Sequence, residues 1–572
     1  MINPRLYRIG FLPAIVALVV VMFSVQARPE PLERPTAPGL FEAGPAARTA
    51  RALADAAPER VPGSEGDQAA ADFVTERFAQ IEGGEISEQT FEAGIEGVDV
   101  ELRNVLLTLP GESERQVLLL AHRDSPEGPG YASSAAATAT LLEIAESFGG
   151  SRHSKTLVFV STTAGSDGAA GARAFIEDYP DRELIDGAIV VQQPGASHPS
   201  PPHVLPWSAD DRNTAIQLTL SADDAVAEQI DTTQRQDGLF GSIMRLALPS
   251  ALGEQSVLIA EGVDAVGISA DGERPLPPSQ DGVDSLSAPA LGDYGRATLS
   301  LLITLDQATE PLVHGPGTYV AIGDNLIPGW SIALLAICLL IPAMLASVDA
   351  TARSWRRNEG RPRDLAWVAT RALPFLAALL LAYLLALTGL APRPDFPYDP
   401  GRYEIDWRAV VVIVCLVVAF ALVWTAIRAL RVPHGSGREG LAAATGVVLS
   451  ASVAATWLLN PYLALLLVPA AHVWPVAIGT GGRARTMAVA VAVGIALIPP
   501  LLAVIDLAGR LEVAAAAPWQ LLLTVTGGHI SLPLAVLLCL VGGGLVAVIA
   551  AALAPDAPPR SPRLAARRPA RP

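Results

Sequence analysis

Eight apolar runs decide what this chain can fold into. One occupies residues 9–25, and seven more follow at 326–348, 366–390, 409–427, 441–458, 462–478, 486–505 and 531–553. Most approach the roughly 20 residues that a helix needs to cross a hydrocarbon core about 30 Å thick. A chain with that many such runs in series cannot bury them in one water-soluble core, so the reading is a polytopic membrane protein. The polar residues must then be segregated: 51% of the chain is hydrophobic, 17% is charged, and most of the acids fall between residues 28 and 324. The stretch 518–528 reads as interfacial, re-entrant or an extra short span.

The connections between runs test the orientation. Arg353, Arg356, Arg357, Arg361 and Arg363 share one; Arg428, Arg431 and Arg438 the next but one; Arg483 and Arg485 a third; Arg560, Arg563, Arg567, Arg568 and Arg571 the tail. The alternate connections hold Asp395, Asp399, Glu404, Asp406, Asp506 and Glu512. Basic loops stay on the cytoplasmic side, so eight spans with both termini inside satisfy every loop and export residues 28–324. The run at 9–25 follows Arg5 and Arg8 and serves as a signal anchor, or as a signal peptide cut after Val25-Gln26-Ala27. The expected plan is therefore 1–27 anchor or signal peptide, 28–54 linker, 55–312 soluble domain, 313–325 linker, 326–553 a bundle of about seven helices, and 554–572 a basic cytoplasmic tail. Such a chain resides in the cell membrane with its soluble domain extracytoplasmic.

Charge and cysteine usage exclude some chemistries. A formal charge of -17 gives no basic surface for phosphates, so nucleic acid is not a partner, whereas membrane lipid is. Cys338, Cys415 and Cys539 all lie in apolar runs, leaving the soluble domain no thiol for a disulfide or a metal. The spans carry few acids, which counts against ion-coupled transport but not against an apolar cargo. His472, between Pro469 and Pro475, reads as a histidine bonded to a carbonyl in a kinked helix.

Between residues 55 and 312 the pattern alternates. Short apolar runs at 117–121, 156–162, 188–192, 216–220 and 265–268 read as strands buried on both faces, and 135–147, 169–178, 225–236 and 291–306 have helical spacing. The fold class is α/β, a mostly parallel sheet sandwiched by helices, with ligands expected at the carboxyl ends of the strands.

Specific motifs sit on this frame. Arg60-Val61-Pro62-Gly63-Ser64-Glu65-Gly66, Ala70-Ala71-Asp72-Phe73, Asn104-Val105, Leu119-Leu120-Ala121-His122-Arg123-Asp124-Ser125, Leu141-Leu142-Glu143 and Gly168-Ala169-Ala170-Gly171 follow in order, with Gly262-Val263-Asp264-Ala265 late in the domain. Together they resemble metallopeptidase family 28, the aminopeptidase S and Y type, over about residues 55–310. The endoplasmic reticulum and vacuolar membrane metallopeptidases, which place such a domain before a multi-span part, are similar in architecture. The resemblance implies a zinc aminopeptidase-like fold and a site with two zinc ions. Two histidines and three carboxylates, one of them bridging, hold the metals, and a glutamate is general base. Zinc lowers the pKa of bound water from 15.7 to about 7, and the base carries its proton to the leaving amine.

Carried over position by position, the resemblance matches His122 to the first histidine ligand and Asp124 to the acid that orients it. The bridging aspartate falls on Ser133, the base on Gly165, the adjacent carboxylate ligand on Ser166, the next aspartate on Gln192, and the last histidine on Pro277 if Asp281 sets the register. One ligand of five survives, and one imidazole cannot hold a zinc that normally takes three protein ligands. The expectation is a domain without cofactor or catalysis, its cleft a binding or scaffolding module for a peptide or protein partner.

Other readings stay open. Glu254, Asp271 or Asp281 would supply ligands if this were an active membrane zinc aminopeptidase, and the bundle would be primary if it were a transporter or lipid-handling protein. Ser133, Ser134, Ser166 and Asp167 beside His122 and Asp124 imitate a serine-histidine-acid set, although no G-x-S-x-G elbow is present. His122 and Asp124 otherwise persist as a hydrogen-bonded pair fixing the strand end. His198 and His203, flanking the proline-rich 199–202, are expected to be solvent-exposed.

Overall fold

The computed structural model describes residues 3–34, 40–95, 97–230, 238–356, 362–429, 438–478 and 482–553. The basic tail, Arg357, Arg361 and Arg431, and the end of the helix expected at 225–236, lie outside the described residues.

Ten strands form among the described residues: β1 (Gln26–Ala27), β2 (Glu85–Ile95), β3 (Val98–Leu109), β4 (Ser113–His122), β5 (Lys155–Thr162), β6 (Ile185–Gln192), β7 (Val204–Leu205), β8 (Ala265–Ser269), β9 (Tyr319–Ile322) and β10 (Asn325–Pro328). Seven make one sheet in the order β2-β3-β5-β4-β6-β8-β7. The apolar strands β5, β4, β6 and β8 run parallel. β2, β3 and β7 join antiparallel, so the sheet is mixed, with its parallel part at the centre. The outer strand β2 is mostly exposed and carries Glu85, Glu88 and Glu92, a charged edge that resists pairing with another chain.

Alternation along the central strands sends side chains to two cores. Val117, Leu119, Phe159, Ile189 and Val266 pack against helices Ala43–Ala56, Ser134–Phe148, Ile216–Ile230 and Ala288–Gln307. Leu118, Leu120, Val158, Val160 and Val190 pack against Ala170–Asp178 and Glu254–Ala260.

Three sequence expectations are corrected. Residues 216–220 are the first turns of Ile216–Ile230, not a strand. Ile216, Leu218 and Leu220 alternate like a strand, but Leu218, Ala222, Ala225 and Val226 form a buried helical face, and the Asp264 carboxylate accepts from Ala215 N at 2.6 Å at its start. The supposed linker 28–54 ends in helix Ala43–Ala56, whose Ala46, Ala50 and Leu53 are wholly buried in the larger core. The second linker, 313–325, contributes β9 and the start of β10, which hydrogen-bonds β1 to form a small sheet.

Among the described residues seven helices are long and apolar enough to cross a membrane. Pro362–Thr370 and Leu373–Leu387, bent by 47°, make an eighth if taken as one span. All eight runs read from the sequence are accounted for, and 517–526 is a short helix, at about 15 Å too short to span. The N-terminal helices Pro4–Ile9 and Leu12–Ser24 lie against Gly329–Arg356 so closely that a Cβ at Gly10 would sit 2.8 Å from Pro342 Cα. Tyr7 Oη is 2.7 Å from His472 Nδ1, and His472 Nε2 is 3.0 Å from Leu339 O, the carbonyl-bonded arrangement expected for this histidine.

The three connections that alternate with the basic ones all touch the soluble domain. Arg402 pairs with Asp167, Asn460 Nδ2 donates to Leu246 O at 3.1 Å, and Arg510 Nη1 donates to Ser250 Oγ at 3.0 Å. They therefore share one end of the bundle with the domain.

Candidate functional site

Parallel strands deliver their carboxyl ends to one edge of the sheet. β4 ends at His122, β5 at Thr162, β6 at Gln192 and β8 at Ser269. A cleft of about 670 Å³ opens there, lined by His122, Asp124, Ser133, Ser166 and Gln192 together with Glu127, Asp281, Asp399 and Arg402. The structure thus gathers five of the seven positions assigned from the sequence. Pro277 is not among them: it faces a separate recess with Asp271 and Glu273, and its neighbour Pro278 lines the cleft instead.

Gly165 lies beneath the His122 ring. A Cβ built at Gly165 would sit 2.6 Å from His122 Cγ, far inside contact distance. The imidazole therefore fills the volume that a side chain at position 165 requires. Gly165 N donates to Asp124 Oδ1 at 2.8 Å, so the acid orients this loop rather than the histidine, and the expected His122–Asp124 hydrogen bond is replaced. Among the described residues the His122 imidazole has no hydrogen-bond partner.

The remaining positions are committed to neighbours. Ala132 N and Ser133 N donate to Asp281 Oδ1 at 2.8 and 3.1 Å, and the Ser133 hydroxyl donates to Asp281 Oδ2. Burial pushes the Asp281 carboxyl up, while these donors and the Arg60 charge pull it back. Gln192 Nε2 donates to Gln255 Oε1. Next to it, Gln193 accepts from Leu276 N at 2.8 Å and donates to Arg274 O at 2.8 Å, which ties the 271–281 loop to the end of β6.

Two buried arginines lie behind the cleft. Arg123 Nη2 is 3.0 Å from Asp67 Oδ1, and its Nη1 donates to Ser161 O at 3.1 Å. Arg60 donates to Arg123 O, Ala57 O and the Ser134 hydroxyl, and its backbone pairs with Ser125. Burial lowers the Arg60 guanidinium to about 10, against the opposing pull of Asp124, Asp281 and Asp67. The opening motif around Arg60 thus serves to stitch the first helix of the domain to the loop after β4. Below the floor, Glu254 starts helix Glu254–Ala260, accepts from the Thr162 hydroxyl, and is pushed up to about 7 by burial.

Sequence reasoning missed the contribution of the bundle. The loop joining Leu373–Leu387 to Trp407–Arg428 lies across the mouth of the cleft. Gly168 N donates to Pro397 O at 2.9 Å, Arg173 Nη2 donates to Phe396 O at 3.2 Å, and Arg402 Nη1 is 2.6 Å from Asp167 Oδ1 and its Nε 3.6 Å from Glu127. The short helix Ala517–Thr526 holds the loop from behind: Gln520 bonds Tyr398 and donates to Pro400 O, and Trp519 Nε1 donates to Tyr403 O at 2.9 Å. Phe396 stacks on His529 with ring centroids 3.8 Å apart. Aromatic residues spaced through a loop between two spans were the available signal.

The donor set does not fit a pair of zinc ions. Serine and glutamine are weak ligands already engaged elsewhere, glycine has no side chain, and Pro277 is outside the cleft. Glu254 lies close enough for His122 to act on its charge, but among the described residues the candidates do not form a ligand set with His122. Glu254 is sealed under the floor, Asp271 accepts from Ser200 and lines the separate recess, and Asp281 is held by Ser133. Among the described residues no group of three or more His, Cys, Asp or Glu side chains is placed to share an ion. A serine-histidine-acid set is not assembled either, because Ser133 bonds Asp281, Ser134 bonds Arg60, Asp167 pairs with Arg402, and neither these nor Ser166 bonds His122 among the described residues. His198 is exposed as expected. His203 is not: it is 6% exposed, drawn inward beside β7, with Nδ1 2.8 Å from Tyr294 Oη.

Solved structures similar to this chain include a zinc aminopeptidase from Bacillus subtilis, at 12% identity and a TM-score of 0.38, covering 46% of this chain and 95% of the other. A glutaminyl cyclase from an Acidobacteriales bacterium matches at 17% identity and a TM-score of 0.37, covering 49% and 99%. A leucine aminopeptidase precursor from Bacteroides thetaiotaomicron matches at 14% and 0.38, covering 48% and 99%. Residues 104–298 match the model of Peptidase family M28, so the chain carries a Peptidase family M28 domain ahead of its helical bundle.

Proposed function

We propose that this protein is a multi-pass cell-membrane protein whose extracytoplasmic peptidase-like domain binds a polypeptide in its cleft without cleaving it. The observation that carries this reading is the state of the metal-ligand positions: Ser133 and Gln192 are engaged with protein partners, and the His122 ring lies where a side chain at Gly165 would be. What lines the cleft instead is polar and suited to a peptide backbone, with the hydroxyls of Ser125 and Ser166 and the acceptor oxygens left on Ser133 and Gln192 once their donors are spent on Asp281 and Gln255. At the mouth Glu127, 42% exposed, presents a carboxylate, while Arg402 is paired with Asp167.

Sidedness follows from the basic loops. The first helix is read as a retained anchor, since Leu12–Ser24 leads directly into β1, which pairs with β10, and Tyr7 reaches His472. Because Asp399 and Arg402 belong to the bundle, the cleft is complete only in the full chain. The test is turnover: full-length protein given excess zinc and a panel of aminoacyl anilides is expected to release nothing above background, and His122→Ala is expected to change nothing. Turnover that His122→Ala abolishes would establish the active aminopeptidase instead.

A further inference from the structure

A second recess, of about 840 Å³, lies where the soluble domain meets the bundle. Its walls place it at the level of the span ends. Arg510 terminates the span Gly482–Arg510, and Arg28 follows β1 just beyond the first span. Arg245 sits on helix Leu239–Ala247, which packs against both Pro461–Ala471 and Gly482–Arg510 and turns Phe240 outward, 73% exposed. The exposed Trp330 and Trp407, each at the start of a span, mark the same zone, since tryptophan collects where hydrocarbon gives way to headgroups.

Guanidiniums gather in the recess, three of them paired with the carboxylates of Asp210, Glu273 and Asp506. Four arginines, Arg28, Arg212, Arg245 and Arg510, line it with two aspartates, Asp210 and Asp223, in a protein of net charge -17. The guanidiniums are held in place: Arg245 stacks 3.5 Å over the Trp207 ring and pairs with Glu273 at 2.8 Å, and Arg510 is fixed by Asp506 at 2.9 Å. The Nε of Arg28 is buried without a hydrogen-bond partner among the described residues, a cost that an oxygen ligand would remove. Beside the arginines the lining is apolar, with Ile216, Leu246, Pro249 and Tyr319. Planar donors next to apolar side chains fit an amphiphile with a phosphate head.

We propose that this recess binds the phosphate headgroup of an anionic phospholipid from the leaflet facing the domain, with its glycerol end against these apolar side chains. The bound lipid bridges Arg28 of the domain and Arg510 of the bundle, and so fixes the domain against the membrane. This site is separate from the cleft and stands whether or not the cleft is catalytic.

The full-length protein, purified in mild detergent, is assayed by native mass spectrometry for retained lipid. It is then delipidated and melted in phosphatidylcholine nanodiscs with or without phosphatidylglycerol, and separately with inorganic phosphate in detergent. The expected result is a phosphate-bearing lipid retained by wild type, a melting rise of several degrees specific to phosphatidylglycerol, and at least a tenfold loss of retention in Arg28→Gln and Arg510→Gln. The surface control Arg103→Gln should behave as wild type. Absence of retained lipid together with equal melting in the two nanodiscs would overturn the proposal. So would retention unchanged in both variants, or stabilisation by inorganic phosphate as large as that by the lipid.

Discussion

Arg402→Ala is expected to lower the stability of the full-length protein by about 3 kcal/mol and to open residues 391–406 to protease. Arg402 and Asp167 are 11% and 8% exposed in their side chains, so the pair is largely withdrawn from water. Removing one partner leaves the other as an uncompensated buried charge, which costs roughly 3–5 kcal/mol for a fully buried pair. Glu127, 42% exposed and 3.6 Å away, adds little because solvent screens it. The double variant Arg402→Ala with Asp167→Ala removes both charges and is expected to lose less than the sum of the singles by more than about 1 kcal/mol. Thermal melts in one detergent and the rate of loop cleavage read both quantities. An additive cycle with an unchanged cleavage rate would mean that the loop is not anchored through this contact.

Glu254→Gln is expected to stabilise the protein by about 3 kcal/mol above pH 8 and to have little effect at pH 4.5. Burial raises this carboxyl from its ordinary 4.5 to about 7, with His122, the Thr162 hydroxyl and Arg123 lowering it and Asp124 raising it. A folded-state pKa above the unfolded one means that the folded protein binds the extra proton. The associated stability is fully present below pH 4.5 and is lost as pH rises through about 7, at about 1.4 kcal/mol for each pH unit of difference. The second oxygen, Oε2, is buried without a partner among the described residues, which penalises the ionised form further. Glutamine keeps the acceptor for Thr162 and cannot ionise. Denaturant melts from pH 4.5 to 8.5 should therefore slope downward in wild type and be flatter in the variant. Parallel slopes in the two proteins would show that Glu254 is not the group responsible.

What is legible in the sequence is what is encoded locally. The spans follow from length and composition, and the central strands follow from unbroken apolar runs, so the amino-acid pattern alone puts His122 and Gln192 at strand ends. Residues 216–220 mislead because three alternating apolar residues satisfy a strand and a helix equally, and only the burial of Ala222 and Val226 further on decides. His203 reads as a loop residue because β7 is two residues long and carries no periodicity. The contact of Arg402 with Asp167 spans 235 residues and two chain regions with different patterns, so no local signal announces it. Its consequence is large, since it makes the cleft a joint product of domain and bundle.

The reading of the cleft as a binding site rests on the pocket at the strand ends no longer holding the donors that zinc needs. Elemental analysis of the full-length protein, purified without chelator from zinc-supplemented medium, tests this most directly. Far less than one zinc per chain is expected, at the same level in wild type and His122→Ala. Stoichiometric zinc that disappears in His122→Ala would contradict it.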